Sequence, residues 1–97
     1  MKYKIKLIEK INEAQETLSL RFERPAGYDY LAGQHTVIKL DDPSVLPQDK
    51  VRNFSLSSSP TEDFLQITMR TGESTFKKFL QDAKAGAGIE IFDTVGN

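Results

Sequence analysis

The segment Arg52-Asn53-Phe54-Ser55-Leu56-Ser57-Ser58-Ser59-Pro60 places a guanidinium two residues from an aromatic ring and follows it with four hydroxyls. On a strand, Arg52, Phe54 and Leu56 share one face, and Asn53, Ser55 and Ser57 share the other. A guanidinium makes bidentate contacts to phosphate oxygens, and an aromatic ring offers a flat apolar surface. Together they suit a ligand with an anionic part and a flat part. An edge strand with a surface Arg and a Ser-rich turn closed by Pro60 accounts for the same residues without any ligand.

A second segment, Thr71-Gly72-Glu73-Ser74-Thr75, leads into a helical pattern. A glycine there permits close backbone approach, and the free N–H groups of a helix start attract anions. A plain strand-to-helix turn with a cap explains it too, but two candidate anion sites on one small domain count for more together than apart. Gly86-Ala87-Gly88 resembles the opening of a dinucleotide fingerprint, yet it follows a helix and enters a strand, the reverse of the required order. His35 has no acid, serine or second histidine at a catalytic spacing and is expected at the surface. Asp41-Asp42 fits a turn, Lys77-Lys78 a solvated helix face, and Lys2, Lys4 and Lys6 the polar face of a strand.

The elements that must carry these residues follow from periodicity. Tyr3, Ile5 and Leu7 alternate with lysines, which predicts a first strand, and Leu18 to Glu23 predicts a second. A third runs from Gln34 to Leu40, a fourth from Val51 to Ser57 and a fifth from Phe64 to Arg70, with turn residues between them. Residues 41–50 form a polar loop with two prolines. The period then changes: Phe76, Phe79, Leu80 and Ala83 mark one face of a helix from Thr75 to Ala85, with Ser74 as its N-cap and Gly86 and Gly88 past its end. A last strand covers Ile89 to Phe92. Strand and helix do not alternate as a doubly wound parallel sheet requires. The expected class is all-β with small α content.

Composition narrows the function. The 97 residues make one domain, with 38% hydrophobic residues, and 13 basic against 14 acidic side chains give a net charge of −1. That balance argues against a general nucleic-acid or anionic-membrane surface. The chain has no cysteine and one histidine, so thiol catalysis, iron–sulfur clusters and most zinc sites are excluded; no metal site and no catalytic side chain is expected. No apolar run is long enough to span a bilayer, and Met1–Lys6 lacks the apolar region of a signal peptide. A cytoplasmic domain is expected.

Arg52-x-Phe54-Ser55-x-x-Ser58 resembles the flavin-binding motif of the ferredoxin–NADP reductase-like superfamily, where the pattern is Arg, any residue, Tyr, Ser or Thr, two of any, then Ser. Ala32-Gly33-Gln34 is similar to the Pro-Gly-Gln that opens the third strand of such domains. Gly72-x-Ser74 resembles the family's pyrophosphate-binding turn. The stretch from Gly88 to Asn97 resembles the final strand leading into a Gly-Pro-x-Gly segment. The resemblance covers nearly the whole chain and implies an FAD-binding (FR-type) domain over residues 1–97: a six-stranded antiparallel Greek-key β-barrel with one short helix between its last two strands.

By the same resemblance, Arg52 would neutralise the flavin phosphate or pyrophosphate. Phe54 would pack on the isoalloxazine ring, Ser55 would lie near the flavin N5–O4 edge, and Ser58 would shape the ribityl or ring pocket. Gly72, Ser74 and Thr75 would donate to the pyrophosphate. Two departures stand out: Phe54 replaces the usual Tyr, and the family's Pro is missing near Asp93-Thr94-Val95. The sequence also holds no counterpart of the family's NAD(P)-binding domain. The implied function is the flavin module of an NAD(P)H-dependent oxidoreductase, with FAD as cofactor and FMN as the alternative. Its partner would be an NAD(P)-binding domain or subunit, or a redox protein, and a homodimer is a second way to cover the open flavin face. A flavin-carrying or flavin-sensing module without turnover is a competing reading. A small barrel binding oligonucleotides or another protein is a third, disfavoured by the charge balance and the scarcity of aromatics on any one strand face.

Overall fold

The computed structural model describes residues 1–95. Its elements, in chain order, are β1 (Lys2–Ala14), β2 (Thr17–Glu23), β3 (His35–Lys39), a single 3-10 turn (Pro47–Asp49), β4 (Val51–Ser55), β5 (Phe64–Arg70), α1 (Thr75–Asp82) and β6 (Gly88–Phe92). The strands pair antiparallel in the order β4-β3-β6-β1-β2-β5. Gly96 and Asn97, the end of the stretch similar to the family's Gly-Pro-x-Gly, lie outside the described residues.

β1 joins the two halves of the sheet. Lys2 to Lys6 pair with β6, and Leu7 to Ala14 pair with β2, with a register irregularity between Leu7 and Glu9. Periodicity predicted only the first half, because beyond Leu7 the apolar alternation stops: Ile8 is exposed and Ile11 half-buried. A strand that changes partner at a bulge bends, and this bend rolls the sheet around one core. Ile5, Leu7, Leu20, Phe22, Ile38, Leu65, Ile67, Ile89 and Ile91 point into that core, each at most 4% exposed.

The expected barrel is not fully closed. β4 and β5 form no continuous ladder; they meet where the Ser57 N–H donates to the Gln66 carbonyl at 2.8 Å and the Gln66 N–H donates to the Ser58 hydroxyl at 3.0 Å. This also explains why β4 stops at Ser55 rather than Ser57. The Leu56 N–H still reaches back to the Gln34 carbonyl, but Ser57 has already turned towards β5.

α1 covers one end of the core with Phe76 and Leu80. Burying two such side chains is worth about 1.5–3 kcal/mol each, which outweighs the intrinsic weakness of an eight-residue helix. Ser74 is its N-cap, with the hydroxyl accepting from the Lys77 N–H at 3.1 Å. The helix ends at Asp82, a turn short of the expected Ala85. Ala83 is already extended, and the Gly86 N–H is bonded to the Leu7 carbonyl as the chain returns to the sheet. The Lys10 ammonium donates to the Gln81 carbonyl, which satisfies an acceptor in the last turn.

Gly33 is needed where it stands. Leu31 to Gln34 form a tight turn closed by the Gln34 N–H on the Leu31 carbonyl, and Gly33 takes φ +82°, a conformation that side-chain-bearing residues resist. Among the described residues no helix is long and apolar enough to cross a membrane.

Candidate anion and ring site

Arg52 and Thr75 come from different elements and meet through Asp49, at the end of the 3-10 turn. The Arg52 Nη2 donates to Asp49 Oδ1 at 2.8 Å. The Thr75 N–H and hydroxyl both donate to Asp49 Oδ2, at 3.1 and 2.6 Å. Thr75 Oγ1 in turn accepts from the Leu46 N–H at 2.9 Å. The Asp49 side chain is only 15% exposed, against 39% for Arg52. The Thr75 hydroxyl, with help from the Thr75 N–H and the Arg52 guanidinium, holds the Asp49 carboxyl below its ordinary range, against partial burial that works the other way.

The rest of Arg52 is positioned by its own loop. Its Nη1 donates to the Val51 carbonyl at 2.8 Å and to the Gln48 carbonyl at 3.3 Å. The guanidinium lies 5.8 Å from the centroid of the Phe76 ring. On the same face of β4, Phe54 is half-buried and stacks on Phe76, with centroids 5.7 Å apart and planes inclined by 20°. Phe76, the second residue of α1, thus touches both the cation and the ring that the sequence singled out. A groove of about 330 Å³ runs along α1 from Thr75, lined also by Lys78, Phe79, Ala83, Ala87 and Ser44 among others.

The other expected donors are largely engaged within the chain. The Gly72 N–H donates to the Gln81 side chain at 2.7 Å. A Cβ at Gly72 would lie 2.8 Å from Lys77 Cδ, so the close approach that this glycine permits is made by a lysine stem. Ser74 uses its hydroxyl as the helix cap. Ser55 is exposed on the outer face of β4, opposite His35 of β3.

Ser58 is placed apart from this cluster. It is 7% exposed, its hydroxyl sits 2.7 Å from the Tyr30 hydroxyl and accepts from Gln66, and Tyr30 also reaches the Ser59 carbonyl at 2.9 Å. The Arg24 guanidinium holds this corner from outside, donating to the carbonyls of Tyr28, Pro60 and Glu62. Periodicity missed three residues that shape the region: Asp49, Gln81 and Tyr30. Asp49 had one local signal, a carboxylate three residues before Arg52. Its link to Thr75 spans two separate elements, and no spacing rule reports that.

The strand order and the single helix after the fifth strand are those of solved structures of ferredoxin reductases. A ferredoxin NADP+ reductase from Neisseria gonorrhoeae, solved with bound FAD and NADP, superposes on 99% of this chain with a TM-score of 0.85 at 15% identity. The ferredoxin-NADP+ reductase of Plasmodium falciparum with 2'P-AMP matches 97% at a TM-score of 0.78 and 21% identity. The cytochrome b5 reductase domain of Ulva prolifera nitrate reductase matches 99% at 0.77 and 16% identity. This chain spans 39–40% of the length of those structures. No family model matches the chain, and no curated protein matches its sequence. The chain therefore has the ferredoxin–NADP reductase-like fold that the Arg52-x-Phe54-Ser55 motif predicted.

Proposed function

We propose that the chain is the flavin-binding module of an NAD(P)H-dependent oxidoreductase, with FAD as its cofactor. The observation that carries this reading is the convergence of Arg52, Phe54 and Thr75 around Phe76, on a fold shared with a reductase solved with FAD. The donor chemistry fits the group. Nε–H and one Nη2–H of Arg52 have no acceptor among the described residues, which leaves one edge of the fork for a phosphate. Phe54 offers an apolar ring on the same strand face as Arg52, and the groove beside Thr75 offers surface for a nucleotide half, which favours FAD over FMN.

A bound flavin supplies a hydride acceptor and passes electrons onward. The chain's own residues bind and orient it. Arg52 offsets phosphate charge, Phe54 limits the tilt of the ring, Ser55 offers a hydroxyl at the ring edge, and Thr75 and Ser74 bring the start of α1 to the pyrophosphate. Ser58 supports the site from behind by fixing the β4–β5 seam. A nicotinamide would be held by a partner domain or subunit in contact with the open flavin face. The test is incubation with FAD, desalting and a visible spectrum. Retained, red-shifted flavin absorbance supports the module, and a colourless protein at micromolar FAD contradicts it.

A further inference from the structure

The donors expected for a phosphate already hold an anion, and that anion belongs to the chain. Arg52 Nη2, the Thr75 N–H and the Thr75 hydroxyl converge on the two oxygens of Asp49. A carboxylate presents two acceptor oxygens to them much as one face of a phosphate does. We propose that Asp49 occupies, in the free protein, the place of a ligand phosphate, so that a phosphate-bearing ligand completes its binding by displacing the Asp49 carboxylate. This rests on the flavin-module reading for the identity of the ligand, but the displacement itself can be tested with inorganic pyrophosphate.

Three features make the exchange feasible. Asp49 closes a one-turn 3-10 helix with no buried residue, so moving Pro47–Asp49 uncovers no core. The loop is anchored on either side, by buried Val45 before it and by the Leu40 N–H on the Lys50 carbonyl after it, so the motion stays local. Arg52 keeps two N–H groups free, so a phosphate can dock on that edge first; the Thr75 donors become available only once Asp49 leaves. While Asp49 stays, its negative charge offsets the guanidinium and the positive end of α1 and weakens any incoming anion. Its carboxyl is stabilised in the ionised form, so a competing anion, rather than protonation near neutral pH, is what removes it.

The experiment is titration of inorganic pyrophosphate, FMN and riboflavin into the wild type and Asp49→Asn. Asn keeps an acceptor for Thr75 but carries no charge. The variant should bind pyrophosphate and FMN about tenfold or more tightly than the wild type, with riboflavin, which has no phosphate, unchanged. Equal or weaker pyrophosphate binding by Asp49→Asn would overturn the proposal and make Asp49 a residue that only positions Arg52. Should Asp49→Asn not fold, the wild type still reports. Saturating pyrophosphate should shift the backbone amide resonances of Leu46, Asp49 and Thr75 together, because their hydrogen bonds form one chain; silent amides at these positions overturn it. Tight pyrophosphate binding by the variant without binding of either flavin by either protein would sink the flavin reading alone.

Discussion

Arg52 and Thr75 are tied to opposite oxygens of one carboxylate, Arg52 to Asp49 Oδ1 and Thr75 to Oδ2. Strand β4 and helix α1 are locked to each other by this bridge, at the surface where the Phe54 and Phe76 rings stack. The two segments singled out as candidate anion donors are therefore brought together in the fold, and the Arg52 charge is paired with Asp49.

The bridge has a pH signature. Asp49 is held below its ordinary pKa chiefly by the Thr75 hydroxyl, Asp93 by the N-terminal ammonium and then the Tyr3 hydroxyl, and Asp42 by the hydroxyl and N–H of Ser44. Groups depressed in the folded state stabilise it above their unfolded pKa, about 3.9 for Asp, and that stability is lost as the pH falls through the lower folded values. The melting temperature should therefore be flat near neutrality and drop steeply below about pH 4. Asp49→Asn should melt lower at pH 7 yet show a shallower acid slope. Identical slopes for the two proteins would mean that Asp49 is not held as described.

Phe54 packs on Phe76 and, in the proposed module, also on the flavin. Phe54→Ala removes a half-buried ring and its stack on Phe76, a loss on the order of 2 kcal/mol, below the cost at a fully buried site. In the flavin-loaded variant, emission should rise as ring quenching is lost, whereas Phe54→Tyr should be tolerated and bind flavin at least as well. Unchanged emission from loaded Phe54→Ala would remove this ring from the flavin.

Ser58 should behave as a seam residue. Ser58→Ala leaves the Gln66 N–H without its acceptor in a buried corner and takes one contact from the Tyr30 hydroxyl, which keeps the Ser59 carbonyl; the cost should be about 1–3 kcal/mol, with little change in flavin affinity. Denaturant unfolding and flavin titration on the same variant check this. Intact stability with weakened flavin binding would return Ser58 to the pocket.

Much of the framework was legible in the sequence because burial imposes it. β5 alternates strictly, with Leu65, Ile67 and Met69 inward; β2 alternates in residue type, with Leu18, Leu20 and Phe22 inward, although Ser19 is buried as well; and Phe76 and Leu80 mark the buried stripe of α1. Ser74 was legible as a cap because capping is local chemistry. The second half of β1 was not, since a strand bent at a bulge and exposed on both faces has no period. Asp49 and Tyr30 were not, since their partners Thr75 and Ser58 are distant in sequence and meet only after folding. Arg52 and Thr75 could be singled out as anion donors from residue type and position. That Asp49 holds both is a property of the tertiary structure.

Nicotinamide reactivity separates a module from a complete catalyst. Hydride transfer needs the nicotinamide held against the flavin, a positioning effect of several kcal/mol. Among the described residues the one helix follows β5 through Thr71–Ser74, and no glycine-rich strand-to-helix turn of the dinucleotide-binding kind occurs. Residues 1–97 loaded with flavin should be reduced slowly and without saturation by NADH or NADPH in anaerobic stopped flow. Saturating reduction at roughly 1–10³ per second would show that these residues build a nicotinamide site.

The most direct measurement is a fluorescence titration of FAD into the wild type and Arg52→Ala. The wild type should bind FAD saturably, one to one. Arg52→Ala should bind it more weakly by about one to two decades, the loss of a charge-assisted contact worth roughly 1.5–3 kcal/mol, in a protein that still folds. Equal binding by the two proteins, or no saturable binding by the wild type, would contradict the flavin-module reading.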